Sequence, residues 1–486
     1  MPTPNLLSKS LLDNLIYFKG IFDECMDFML REFTITGTKA AFLAIDGLVN
    51  KQVIAQGILN PILKAPILEL TPDEKFNYIR DNALATADQT QLVSRDDIVD
   101  RLMSGFAVLL LDGCSRSIAF GVQGFQMRSI SEPSGEVMQR GSREGFVEPY
   151  LINISMIRRR MRTPDLKFER MIIGSTSQTS VAICYLNSAV SKELLARVRA
   201  GLRRIDLPSV FASGYLSPFL ENKSIFNGVG LSERPDTVCG KIMEGRVAII
   251  IDGTPNVMVV PHLFVENFQS FDDYTTRPFY ATFTRILKYI AFFLAMFLPG
   301  FYVAVVTFHP ELLPEALLSK VAQAEATTPF PIALEAIVIH LIYEIMREAG
   351  LRVPRPLSHA VSIVGALVIG DTAVSAGLIG APTLFIVAMT ALSGYVTPDL
   401  YQPIAICRFL FIVIGGICGL WGVMLGFGFV MINICAESVY GMPFSAPISP
   451  FSLRGMRDVV IRASWKILGR RTEHVQDLPG AHIKKY

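Results

Sequence analysis

Between Leu357 and Pro450 the chain carries only four charged side chains, Asp371, Asp399, Arg408 and Glu437. So few charges cannot cover a water-facing surface of ordinary composition, so this stretch has to be solvated largely by lipid. The first 280 residues carry charge at ordinary density, and the chain divides into a charged front and an apolar back. Bulk composition agrees, with 51% hydrophobic and 18% charged residues and a mean hydropathy of +0.41, above the range of wholly soluble chains. A net charge of +2 points to neither a polyanionic partner nor an acidic substrate. The seven cysteines form no CxxC pair, so neither a disulfide framework nor a zinc site is indicated. The opening segment MPTPNLLSKSLLDNLIYFKGIFDEC lacks a continuous apolar core behind a basic start. It does not read as a signal peptide, and the front is expected in the cytoplasm.

The charged front repeats itself. REFTITGTKAAFLAIDGLVNKQVI, from Arg31, resembles FERMIIGSTSQTSVAICYLNSAVSKELL, from Phe168, with Glu32 and Gly37 opposite Glu169 and Gly174, and Lys51 opposite Lys192. GFAVLLLDGCSRSIAFG, from Gly105, resembles GRVAIIIDGTPNVMVVP, from Gly245, with Asp112-Gly113 opposite Asp252-Gly253. Blocks matching at one nearly constant separation signal a duplication. Each copy is expected to open with a strand or hairpin, pass through helices and close with a hairpin turning at its Asp-Gly pair. The fold class is therefore α+β: duplicated α/β subdomains at 30–135 and 165–270, then a multi-pass helical membrane domain. A helical segment, 1–29, precedes the first copy, and a connecting helix within 136–164 joins the two. That connector carries Arg158, Arg159, Arg160 and Arg162 with Met156, Ile157 and Met161 at helical spacing. It reads as a solvated or subunit-facing helix rather than a nucleic-acid contact, because no basic face is sustained and no aromatic platform accompanies it.

Spans need about 20 mostly apolar residues. Arg285 to Phe308 qualifies, with Pro299-Gly300 predicting a kink. FPIALEAIVIHLIYEIM, Phe330 to Met346, holds Glu335 and Glu344 on nearly one helical face and suits a bundle or interfacial helix. Leu357 to Ala376, Thr383 to Val396 and a run from Ile404 to Tyr440, long enough for two short spans, follow. Gly415/Gly419 and Gly422/Gly426 make GxxxG spacings that read as a packing face. The membrane domain thus covers 271–450 with four to six spans, before a basic tail at 451–486. The basic loop after Arg347 and the basic tail both belong in the cytoplasm by the positive-inside rule, which demands an even number of crossings.

No catalytic constellation stands out. The six histidines are scattered, His340 and Glu344 lack a second histidine at HExxH spacing, and neither a phosphate-binding loop nor a GxSxG elbow occurs. The chain is expected not to be an enzyme and to use no metal and no cofactor. Arg408 and Glu437 should lie at similar inner depths and pair. Asp371 follows Leu357 by about 21 Å of helix, past the midplane, with no cation of its own chain in reach. With Glu335 and Glu344 it is a candidate for an ion pathway or a subunit contact; the alternative is a helix end near the headgroups.

RGSREGFVEPYLINISMIRRRMR, EGRVAIIIDGTP, TPFPIALEAIVIHLIYEIMREAGLRVPRP, SIVGALVIGDTAVSAGLI and SAPISPFS, in this order, resemble the A subunits of spore germinant receptors, the GerA family of endospore-forming bacteria. The resemblance implies an inner spore-membrane protein working with a transporter-like B subunit and a lipoprotein C subunit. It implies nutrient sensing, mainly by the B subunit, that triggers release of ions and dipicolinate. It also implies a homo-oligomeric ring of A subunits enclosing an ion channel, and no nucleic-acid partner. Family members often carry glutamate where this chain has Asp371. Two other readings stand beside it: an accessory stage V sporulation protein of the same fold, and a self-contained secondary transporter. The transporter would need an inverted repeat in the membrane half, whereas duplication is visible only in the front.

Overall fold

The computed structural model describes residues 5–64, 70–82, 88–124, 133, 135–136, 138, 140–221, 224–352, 370–469 and 473–483. The front consists of two units, each with a five-stranded antiparallel sheet. In the first, helix α1 (Leu11–Ile21) precedes β1 (Phe28–Ile35), β2 (Thr38–Ile45), β3 (Gln89–Leu92), α2 (Arg95–Met103), β4 (Phe106–Leu111) and β5 (Ser117–Gly121). In the second, α3 (Tyr150–Arg160) precedes β6 (Leu166–Ile173), β7 (Thr179–Leu186), α4 (Lys192–Arg203), β8 (Gly230–Ser232), α5 (Pro235–Met243), β9 (Val247–Ile251) and β10 (Val257–Val260). The strand orders are β1-β2-β4-β5-β3 and β6-β7-β9-β10-β8, one pattern used twice.

Period-two alternation explains the layering. In the first sheet Ala41, Leu43, Val108 and Leu110 pack beneath α1 and α2. Their neighbours Phe42, Leu109, Ile118 and Phe120 pack against Ile54, Ile58, Phe76 and Ile79 on the other face. Both faces are covered, so the central strands read as unbroken apolar runs. The sheet register corrects one sequence match. Ala41 pairs with Leu110 and Ala182 with Ile250, each two residues before its Asp-Gly pair; Glu32 faces Ala41, and Arg170 faces Ala182. Glu32 therefore corresponds to Arg170 and not to Glu169. The cause is turn length: two residues separate β1 from β2, whereas Gly174 to Gln178 separate β6 from β7.

The Asp-Gly pairs sit in the loops after β4 and β9, and their glycines take φ of +84° and +91°, the left-handed region that favours glycine. They also do more than turn the chain. Asp112 Oδ1 accepts the N–H of Leu11, the first residue of α1, at 3.0 Å, and Gly113 N–H donates to Lys9 O at 2.9 Å. Asp252 Oδ1 accepts the N–H of Tyr150, the first residue of α3, at 3.1 Å, and Gly253 N–H donates to Glu148 O at 2.9 Å. Each aspartate thus caps the positive end of its unit's first helix. Buried Asn14 and Asn153 repeat a second device, each bonding both backbone groups of a residue six positions earlier, Ser8 and Val147. The helices read from sequence as a leading segment and a connector are matched elements, and each copy begins with its helix.

Arg158 corrects the expectation of a solvated or subunit-facing arginine cluster. It is fully buried, forks onto Asp27 with two bonds of 2.8 Å, donates to Thr163 O and Leu166 O, and lies over the Phe168 ring. Asp27 belongs to the first unit, so this pair bolts the units together. Arg159 and Arg160 both pair with Glu144, and Arg162 is exposed, with Nε on Arg159 O. Beside the bolt, Met26 N–H bonds Phe168 O at 3.0 Å and Phe168 N–H bonds Glu24 O at 3.2 Å, extending the second sheet by one short segment of the first unit.

The helical region begins with α6 (Pro278–Phe308) and continues through α7 (Glu315–Thr327), α8 (Ile332–Arg352), α9 (Gly370–Ser375) and α10 (Ala381–Val396). The sequence-read span from Leu357 falls outside the described residues as far as 369. Helix α6 and the run 398–436 are long and apolar enough to cross a bilayer, and α7 and α8 meet at a 79° bend. The run 401–436 folds back on itself. Gly419 takes φ +61° and ψ −154°, and side chains on either side of it meet: Gly426 lies against Phe411 and Gly422 against Ile414. A straight helix would hold residues 411 and 426 about 22 Å apart. We name the arms α11 (401–418) and α12 (420–436). The tail that follows is a packed element: Val475 and Ile483 complete the second unit's core, and Gln476 Nε2 donates to Ala189 O at 2.7 Å.

Candidate functional site

Where α6, α8, α10 and α11 meet, the structure assembles a polar cluster inside apolar helices. Its centre is Arg408, fully buried on α11. Pro299 has no N–H, so the carbonyl four residues before it, that of Ala295, loses its helical partner. Arg408 Nε reaches across from α11 and donates to that oxygen at 3.0 Å. The proline expected to kink the helix thereby creates a docking point for a charge on another helix. Arg408 Nη1 lies 3.2 Å from Glu344 Oε1 on α8. The Tyr401 hydroxyl sits 2.7 Å from both Glu344 oxygens, and the Arg347 guanidinium covers the Tyr401 ring. Arg408 Nη2 has no partner among the described residues and faces Gly394 of α10, where a Cβ would stand 3.6 Å from it. His340, one turn before Glu344, is buried and not on the helix surface, with Nδ1 2.8 Å from Ala336 O.

The expected pair between Arg408 and Glu437 does not form. Glu437 ends the returning arm α12, and its Oε2 has no partner among the described residues. Arg408 instead takes Glu344, because α8 packs against α11 at that level. Glu335 is buried and accepts the N–H of Gly380, the residue preceding α10, at 2.7 Å, capping that helix from outside. Neither Glu335 nor Glu344 is thus a free carboxylate. Asp371 differs from both: it stands exposed on α9, and among the described residues it makes no hydrogen bond or ion pair.

The four glycines divide their work. Gly415 lets α11 approach α6, since a Cβ there would lie 2.4 Å from Gly300 O. Gly422 and Gly426 face the opposite arm of the hairpin, and Gly419 makes the reversal itself. Sequence reasoning missed Tyr401, Asp27 and the Pro299–Arg408 relation. Only the last had a signal, a proline and an arginine in separate apolar runs. At the foot of α6, Arg285 is buried and held by Asp273 at 2.8 Å and Asp458 of the tail at 2.9 Å.

Comparison with known proteins finds relatives along nearly the whole chain. The family described as Bacillus/Clostridium GerA spore germination protein matches residues 16–474. Spore germination protein KA of Bacillus subtilis is 37% identical over 97% of this chain and 88% of its own length. The uncharacterized membrane protein YfkQ of Bacillus subtilis is 34% identical over 96% of this chain and 91% of its own. Spore germination protein B1 of Bacillus subtilis is 31% identical over 96% of this chain and 97% of its own. The crystal structure of the N-terminal domain of the A subunit of the Bacillus megaterium spore germinant receptor GerK3 covers 54% of this chain and 98% of that domain, at 27% identity and a TM-score of 0.41. With a family match across nearly the whole chain and relatives above 30% identity that cover 96–97% of it, the chain belongs to the GerA family of spore germination proteins.

Proposed function

We propose that this protein is the membrane subunit of a nutrient-sensing spore germination receptor and that copies of it assemble around an ion path. The observation that carries this reading is Asp371. Glu335, Glu344 and Arg408 find partners inside the chain, whereas Asp371 stands exposed on an apolar helical domain with no hydrogen bond or ion pair among the described residues. An acid in that position needs water, as along a path between copies, or a neighbouring subunit, and both fit an assembly around an ion path. The protein works in the inner spore membrane with both termini cytoplasmic, beside a transporter-like B subunit and a lipoprotein C subunit, and performs no catalytic step. An even number of crossings, within the four to six read from the sequence, returns the chain to its starting side; α6, α8, α10, α11 and α12 are the candidates among the described residues. The test is cation flux from liposomes holding the purified chain, with assembly followed by cross-linking. Asp371→Asn is expected to lower flux at unchanged protein content; unchanged flux together with unchanged assembly sinks the reading.

A further inference from the structure

A cleft of about 250 Å3 opens where the second unit meets the helical domain. Its walls come from β8, α5 and β10, from the segment joining β10 to α6, from Trp465 of the tail, and from Asp399 on the turn between α10 and α11. Phe271, Tyr274 and Trp465 give it aromatic surface. Five carboxylates line it, and three are compensated. Asp236 pairs with Arg234 at 2.6 Å, Glu244 with Arg246, and Glu266 with Arg246, with Lys241 at 2.8 Å and with His262 at 3.3 Å. The other two have no ion-pair partner among the described residues. Among the described residues Glu136 accepts one side-chain bond, from Ser232 Oγ at 2.9 Å, with Arg234 acting on it at longer range, and Asp399 is exposed and makes no hydrogen bond or ion pair, with His262 and Lys288 acting on it at longer range.

We propose that this cleft binds a small organic ammonium ion, held between the carboxylates of Glu136 and Asp399 with its apolar body against the aromatic wall. Two carboxylates that share one cleft without an ion-pair partner among the described residues repel each other and attract a cation. Aromatic faces favour an ammonium group and an alkyl body together. The aromatic wall favours an organic complement. The same strain is visible in Glu136. Burial pushes its carboxyl up to about 7, the Ser232 bond and Arg234 work against the rise, and Asp399 and Glu233 add to it. Because Asp399 sits two residues before Tyr401, an occupant of the cleft ties the second unit to the turn that leads into the Arg408 cluster. The inference stands independently of ion conduction.

The test is calorimetric titration of the full chain in mild detergent with n-butylammonium, and with butyrate as the opposite charge. Saturable binding is expected at about pH 8.5, weakening by about pH 5.5 as Glu136 takes up a proton. Glu136→Gln and Asp399→Asn should each weaken it about tenfold or more, while Asp399→Glu, which keeps the charge, should retain it. Unfolding temperatures of the variants show that the fold persists. Absence of saturable binding at millimolar n-butylammonium, binding unchanged in both neutral variants, or equal binding of butyrate overturns the proposal.

Discussion

The two units of the front share strand order, capping aspartates and buried asparagines, yet they are differently embedded. The first keeps β1 as the outer strand of its sheet. The second receives the Glu24–Met26 segment at β6, the tail in its core and the foot of α6 at its side. A duplication supplies two equal scaffolds. What distinguishes them afterwards is which one the rest of the chain leans on, and here that is the second.

The comparison can be broken most severely at the bolt between the units. Arg158→Ala leaves Asp27 buried without its cation, and a loss of roughly 3–5 kcal/mol is expected in denaturant unfolding of the full chain. A loss within about 0.5 kcal/mol, as at an ordinary surface site, would mean that the units do not depend on each other. Acid tests the second unit alone. Burial pushes the Glu266 carboxyl up, but Arg246, Lys241 and His262 outweigh it and hold it well below the usual carboxylate range. A depressed value means that this stabilisation is present above about pH 4.5 and is lost as pH falls toward the folded value. Glu266→Gln should cost about 2 kcal/mol at neutral pH and flatten the acid limb of the stability curve; an unchanged limb would show that other carboxylates set it. The mildest test uses the repeated caps. Asp112→Ala and Asp252→Ala should each cost about 1 kcal/mol. If the second unit's extra contacts stiffen it, the Asp252 variant should raise amide exchange less widely than the Asp112 variant; equal spread would show two equivalent units.

Much of this was legible beforehand. The duplication showed in Asp112-Gly113 and Asp252-Gly253, the charge-poor back in four isolated residues, and the last apolar run in a length that allowed two arms. The match of Glu32 to Glu169 was one residue out because identity of letters cannot see a turn of different length. Arg158 was misread because its neighbours are arginines and its partner, Asp27, lies in another unit; helical spacing reports a face, not what covers it. The pairing of Arg408 with Glu437 rested on depth alone. Depth is one coordinate of three, and Glu344, at the same level on a different helix, was nearer.

The tail carries a consequence for how the molecule is made. Val475 and Ile483 belong to the core of the second unit but follow every apolar helix in the chain. On a ribosome the second sheet emerges early and cannot close over these residues until the helices have been delivered to the bilayer. The second unit therefore waits, incomplete, through membrane insertion, and its final packing records that insertion has finished.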